Sequence, residues 1–279
     1  WPRLEKRLTA AGLEAETVFT EAPWHATELA AAAVADGVTR VIAAGGDGTV
    51  TEVAEGISRA GGEMAILPLG TGNDAARTLG ITTKLEEAAV IARDGAVRTV
   101  DLIAVGGHLV FNAIGVGMTG DINERAARLK QTGRLWVRGI SGYLLATLAS
   151  LFQYRRRDVT MTSEAGSFSG SMLILAVHGG PTTGGGFALT PRAIPDDGLF
   201  DACLVEEVGP AGRLARLAAA MRGKLGDKKG SHELQSSWLE LQFDVPLPAH
   251  LDGNAVVLEP PMVRFEVVPQ ALRVVGPRS

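Results

Sequence analysis

Two short segments hold residue types suited to phosphate chemistry: GGDGT at 45–49 and PLGTGND at 68–74. Each follows an apolar run and opens a helical pattern. Glycines at such a junction let the backbone approach a ligand closely. The N–H groups of the helix that follows then face the ligand, and the helix dipole favours an anion. Phosphate is the natural guest, with Thr49, Thr51, Thr71 and Asn73 as neutral donors around it. Asp47 is the odd residue, because a carboxylate repels an anion. It either holds Mg²⁺, which on nucleotides takes one or two carboxylates plus phosphates, or accepts the proton of an attacking hydroxyl. The plainer option is that it only caps the helix. Neither loop matches GxxxxGK[ST] or GxGxxG, which disfavours the P-loop and dinucleotide readings.

The elements around these loops alternate. WPRLEKRLTAAGL reads as a helix ending near Gly12, AETVFT as a strand, WHATELAAAAVADG as a helix stopped by Gly37, and TRVIAAGG as an apolar strand. DGTVTEVAEGISRA is a helix with Thr49 and Thr51 available as caps and Glu52 in its first turn. MAILPLG is a strand, and NDAARTLG and KLEEAAVIARDG are helices. Strand–helix alternation implies βαβ units: a three-layer α/β domain with a parallel sheet over residues 1–100. Ligands of such sheets sit beyond the carboxyl ends of the strands, where both glycine loops fall.

From residue 101 to 279 the rhythm changes to short, often alternating segments separated by Gly, Pro and Asp: RTVDLIAV, HLVFNAIGVG, DVTMTS, GSFSGSMLILAV, GLFDACLVEE, ELQFDV, NAVVLEP and VRFEVVPQALRVV. These predict an antiparallel β-sandwich, with the last residues able to pack back on the first domain. Two helical stretches interrupt it, one over 121–152 and AGRLARLAAAMRGKL at 211–225.

A chain of 279 residues suits two domains. With 46% hydrophobic and 21% charged residues it is globular, and a net charge of −4 argues against nucleic-acid binding by a basic surface. The single cysteine, Cys203, rules out an intrachain disulfide and fits a reducing compartment. The charged start, RLEKR, lacks signal-peptide character, and the apolar run 140–152 is too short to span a bilayer. The expectation is a cytoplasmic protein, at most peripheral at the inner membrane surface. The five histidines show no metal-ligand spacing, although His250 lies two residues before Asp252.

GGDGT followed by EV, then PLGTGND, PRAIPDDGLFD and HLDGN, in that order over nearly the whole chain, resembles the bacterial diacylglycerol kinase and sphingosine kinase-like lipid kinase family. GGDGT alone is shared with NAD kinases and phosphofructokinase-like enzymes; PLGTGND with PDDGL is more selective. The resemblance implies an ATP-binding α/β domain, a C-terminal β-sandwich, and transfer of the ATP γ-phosphate to a lipid hydroxyl in the cleft between them. It implies that Gly45, Gly46, Asp47, Gly48, Thr49, Val50 and Thr51 contact ATP together with Gly70, Thr71, Gly72 and Asn73, and that Thr20 closes over the nucleotide. Asp47 would stand near Mg²⁺ and the acceptor hydroxyl. A structural Mg²⁺ or Ca²⁺ would take the Asp197 carboxylate and the carbonyls of Ile194 and Leu199, although P-D-D-G is also ordinary turn chemistry.

Three departures stand out. The family's first strand, with its Asn-Pro-x-Ser-Gly loop, is absent here, because the sequence begins inside the following helix. Asp-Gly-Glu is replaced by Asp252-Gly253-Asn254, and asparagine cannot serve as a general base near neutral pH. Thr51 replaces a common Asn. Asp47 or Asp252 then takes the base role, or the protein is a nucleotide- or lipid-binding pseudokinase; an NAD kinase-like enzyme is the further alternative. A basic amphipathic segment at 211–230 and YRRR at 154–157 are candidates for contact with an anionic membrane. The exposed edges of the β half offer a homodimer contact.

Overall fold

A computed structural model describes residues 1–131 and 140–278; the part of the predicted helical stretch at 132–139 lies outside the described residues. The first half runs α1 (Pro2–Ala10), α2 (His25–Ala35), β1 (Arg40–Gly45), α3 (Asp47–Ala60), β2 (Glu63–Pro68), the short α4 (Asp74–Thr78) and α5 (Leu85–Asp94). The second begins with β3 (Ala96–Val105), β4 (His108–Val110), β5 (Ala113–Gly117), α6 (Met118–Gln131) and α7 (Ile140–Gln153). It continues with β6 (Arg157–Ser163), β7 (Gly166–His178), β8 (Phe200–Glu206), α8 (Pro210–Ala220), β9 (Ser231–Ser236), β10 (Trp238–Phe243), β11 (Leu247–Leu251), β12 (Asn254–Leu258) and β13 (Met262–Gly276).

The expected α/β half and antiparallel β half with inserted helices are both present. β1 and β2 pair in parallel from Arg40↔Glu63 to Gly45↔Pro68, so both glycine loops leave adjacent strands at the same end of the sheet. β13 serves both halves. Its first part pairs antiparallel with β10, and Arg273 and Val274 pair in parallel with Glu63 and Met64 of β2. β3 runs antiparallel beside most of its length.

α3 forms because Val50, Val53, Ala54 and Ile57 recur at helical spacing and bury one face. It stops at Gly61, whose left-handed backbone lets its N–H reach the Ile57 carbonyl at 2.7 Å. Gly56 faces α2 so closely that a Cβ there would collide with the Thr27 carbonyl. Three apolar clusters result: one in the α/β half around Ile57 and Ile66, one inside the sandwich around Leu175 and Phe265, and one between the sandwich and α6–α8 around Ile174 and Leu225.

Several expectations need correction. AETVFT forms no strand; Val18 and Phe19 are exposed, and Phe19 packs edge-on against Trp1. β1 is the terminal strand of its sheet, and this segment does not add to its free edge. Thr49 and Thr51 lie inside α3 and do not cap it; Gly46 is the cap residue, without a side-chain bond. HLVFNAIGVG breaks into two strands because the Asn112 N–H leaves the ladder for a carboxylate. The helical stretch over 121–152 falls in two helices, and α8 ends at Ala220. β9 and β11 were not foreseen.

Candidate active site

The two glycine loops touch. A Cβ added at Gly46 would lie 3.3 Å from the Gly70 Cα, and one at Gly70 would overlap Gly46. The Leu69 N–H donates to the Gly45 carbonyl at 2.9 Å, extending the β1–β2 ladder to the loop base. Asn73 closes the second loop on itself. Its Oδ1 accepts the Gly70 N–H and its Nδ2 donates to the Gly70 carbonyl, both at 2.9 Å. Its left-handed backbone, φ 53°, suits Asn.

Asp47 stands at the first position of α3 yet does not cap it. Its Oδ1 accepts the Ala75 N–H of α4 at 2.9 Å. The plain capping reading therefore fails for its own helix, and the carboxylate ties two helix starts together. Gly72 leaves room beside its other oxygen: a Cβ there would sit 2.8 Å from Asp47 Oδ2 and 3.2 Å from Asp74 Oδ2. Burial pushes the Asp47 carboxyl above its ordinary value; the Ala75 N–H opposes this and the Asp74 charge adds to it. Asp74 is buried and accepts the Thr182 hydroxyl at 2.9 Å, the Gly185 N–H at 2.6 Å and the Arg77 guanidinium. Two carboxylate oxygens beside a gap that only glycine leaves open are a donor set suited to Mg²⁺ carried by a nucleotide.

Asp252 and Gly253 are the two central residues of the β11–β12 hairpin, with φ of 47° and 98°, as a type I′ turn requires. The Asp252 side chain is buried, with both oxygens taken. Oδ1 accepts the Ala113 N–H at 2.6 Å; Oδ2 accepts the Asn112 N–H at 2.9 Å and the Thr51 hydroxyl. It joins α3 to β5 and leaves no oxygen directed at a substrate. Asn254 lies over the first turn of α3, donating to the Gly48 carbonyl at 3.4 Å and to buried Glu52 at 3.2 Å.

Residues 1–105 match the family described as the diacylglycerol kinase catalytic domain, and residues 112–276 match the YegS C-terminal NAD kinase beta sandwich-like domain. A "Probable lipid kinase YegS-like" of Pseudomonas aeruginosa (strain UCBPP-PA14) is 35% identical over 267 residues, spanning 95% of this chain and 85% of that protein. The chain belongs to the YegS-like lipid kinase family. Its namesake in Shewanella frigidimarina is 28% identical over 95% of this chain and 86% of its own length. The fold is shared with a solved diacylglycerol kinase from Bacillus anthracis str. Sterne, with TM-score 0.69, 20% identity, and 97% and 88% of the two chains covered.

Within this lipid kinase family member, Gly45, Gly46 and Asp47 meet the 69–75 loop, while Val50 and Thr51 turn into the interior, Thr51 onto Asp252. Thr20 is exposed on the irregular segment before α2. In IPDDGL, Asp197 is exposed and its Oδ1 accepts the Leu199 N–H at 3.0 Å; Ile194 is half exposed. Asp101 fixes this turn by accepting the Gly198 N–H at 2.7 Å. Among the described residues, no three His, Cys, Asp or Glu side chains gather as a metal cluster. Asp74, Asn112 and Thr182 went unassigned from the sequence. Asn112 donates to the Thr182 carbonyl at 2.9 Å and accepts the Thr78 hydroxyl at 2.6 Å, so one network runs from Asp252 to Asp74. Asp74 lies inside the PLGTGND signal; Asn112 had no local signal.

Burial pushes the Asp252 carboxyl up to about 7 against its three donors, with the Asp47 charge adding to the rise. The native state thus keeps a proton that the unfolded chain, titrating near 3.8, gives up. The contribution of this group to stability is complete below about pH 4 and is lost as pH rises toward about 7. Urea unfolding of the wild type should show this loss between those pH values, and Asp252→Asn should lack it. Equal slopes in the two proteins would contradict the assignment.

Proposed function

We infer that this protein transfers the γ-phosphoryl group of ATP to the hydroxyl of diacylglycerol or a similar lipid alcohol. The observation that carries the reading is the pair of touching glycine loops with Asp47 Oδ2 free of the Ala75 bond and beside the Gly72 gap. The loop N–H groups and the start of α3 would hold the phosphates. Asp74, whose oxygens are already bonded, would hold Mg²⁺ through water, and the ion supplies charge compensation when bound. Asp47 would orient the acceptor hydroxyl and take its proton, a role that Asp252, with both oxygens engaged, does not offer. Catalysis then rests on positioning and charge rather than on covalent chemistry. On this reading Asn254 is a strut rather than a base. The exposed Asp197 carboxylate with the Ile194 and Leu199 carbonyls is an oxygen-only set suited to a structural Mg²⁺ or Ca²⁺.

The lipid would enter between the helices and the sandwich. Met118, Ile122, Tyr143, Ile174, Phe187 and Leu217 border a cavity whose other wall is Thr183–Gly184, next to the Gly185 that Asp74 holds. Its room is about 60 Å³, enough for a few water molecules but not for a whole acyl chain. The glycerol ester group would enter it, and the acyl chains would continue outward along α7 and α8. There α7 exposes Leu144, Leu145, Leu148 and Phe152, and Leu214 and Met221 are exposed at α8. Arg155, Arg156, Arg222 and Lys224 are also exposed. An anionic bilayer surface matches this composition. Arg213 drops out of the expected basic face, since it is buried on Glu207 at 2.7 Å and donates to the Leu151 and Tyr154 carbonyls. No helix among the described residues is long and apolar enough to cross a membrane.

Two experiments test this. With radiolabelled ATP, Mg²⁺ and a panel of lipids, the wild type should phosphorylate a neutral lipid alcohol, and Asp47→Asn should lower turnover by about 10²–10⁴-fold while keeping the melting temperature. Nucleotide binding without turnover on any lipid would instead favour the pseudokinase reading motivated by Asn254. The Leu148→Asp/Phe152→Asp double variant should bind phosphatidylglycerol-containing vesicles at least about tenfold more weakly. Unchanged sedimentation with vesicles would remove α7 from the membrane face.

A further inference from the structure

The deep end of the cavity is not apolar. Along β11, Leu247, Ala249 and Leu251 enter the sandwich core, so His250 points the other way, toward the helical layer, and it lines the cavity. Its side chain is 3% exposed and its Nδ1 has no hydrogen-bond partner. The residue opposite on β5 is Gly115. A Cβ there would collide with His250 Nε2 and lie 2.5 Å from Thr119 Oγ1. Imidazole and hydroxyl thus converge over a position that only glycine keeps clear. The Thr119 hydroxyl has a single long bond, 3.5 Å to the Val116 carbonyl, and also lines the cavity. His178, on the second strand away, repeats the pattern: its Nδ1 meets the Thr190 hydroxyl at 2.8 Å, while its buried Nε2 has no partner.

Buried polar atoms are normally paired, because leaving one unpaired forfeits its hydration. Nδ1 is enclosed, so the nitrogen that meets the clear position at Gly115 beside Thr119 is Nε2, and it is the candidate contact for whatever fills the cavity. We propose that His250 and Thr119 form a neutral polar subsite that grips an ester oxygen of the lipid acceptor. The inference rests on the lipid-kinase reading and adds to it a recognised group. The charge balance sets the class of ligand. Burial holds both imidazoles well below the usual histidine range, His250 near 4 and His178 near 3, so neither carries charge at neutral pH. Among the described residues the lining contains no carboxylate and one cation, Arg216. A sphingoid ammonium would find no counter-charge there. An ester carbonyl oxygen would find the Thr119 hydroxyl and, in the Nε2–H tautomer of His250, an N–H donor.

The test compares dioctanoylglycerol, its diether analogue and sphingosine on the wild type and on His250→Phe, which keeps ring volume without nitrogen. The wild type should prefer the diester over the diether by about tenfold in kcat/KM. His250→Phe should lose that preference through KM for the diester and leave the diether unchanged. Equal losses on both lipids would overturn the subsite. In parallel, ¹⁵N imidazole spectra of the wild type should show His250 shifting with dioctanoylglycerol and not with the diether. A shift without phosphate transfer would sink the kinase reading and keep the subsite. No shift at saturating lipid would sink the subsite even where turnover is intact, and His250→Phe failing to fold would not affect this measurement.

Discussion

The approach of Gly46 to Gly70 is the constraint on which the site depends. Two parallel strands in register bring two turns side by side, and side chains on both turns would push them apart. At this spacing the Asp47 carboxylate reaches the first turn of α4 and the start of that helix is fixed. Asp74, at the same turn, then reaches across to Thr182 and Gly185 of the β half. A backbone contact between two glycines thus sets the position of acids and donors drawn from three distant parts of the chain.

A second organising feature is the gathering of carboxylates. Asp47, Glu52, Asp74 and Asp252 surround the loop region, and most of their oxygens face N–H or O–H donors rather than cations. Arg77, on Asp74, is the basic partner among these bonds. Neutral donors tolerate an anionic group without neutralising it. A nucleotide brought into such a site adds further negative charge, and a divalent cation is the economical balance. The two acids differ in their bonds: Asp252 takes three donors on its two oxygens, while Asp47 takes the Ala75 N–H on Oδ1.

Much of this was legible in the sequence because its cause is local. The spacing of glycines, the apolar runs of β1 and β2 and the repeat of α3 each act within a dozen residues. The β11–β12 hairpin also had its signal, Asp-Gly between apolar segments. LPAHL hid it, since Pro248 and His250 interrupt the expected composition of a strand. AETVFT is the opposite case, with strand-like residues that form no strand although the outer edge of β1 is free. The Thr51–Asp252 bond joins residues 201 apart, and nothing local announces it. Arg213 read as surface charge because sequence records the guanidinium and not the carbonyls of Leu151 and Tyr154 that it satisfies.

The most direct test follows backbone amides by ¹⁵N–¹H NMR during titration with Mg²⁺ and a non-hydrolysable ATP analogue. The account predicts saturable shifts concentrated at Gly46, Gly48, Gly70 and Gly72, with the largest changes where the two turns meet. Saturable nucleotide binding that leaves these four amides unmoved, or perturbs only the β half, would contradict it.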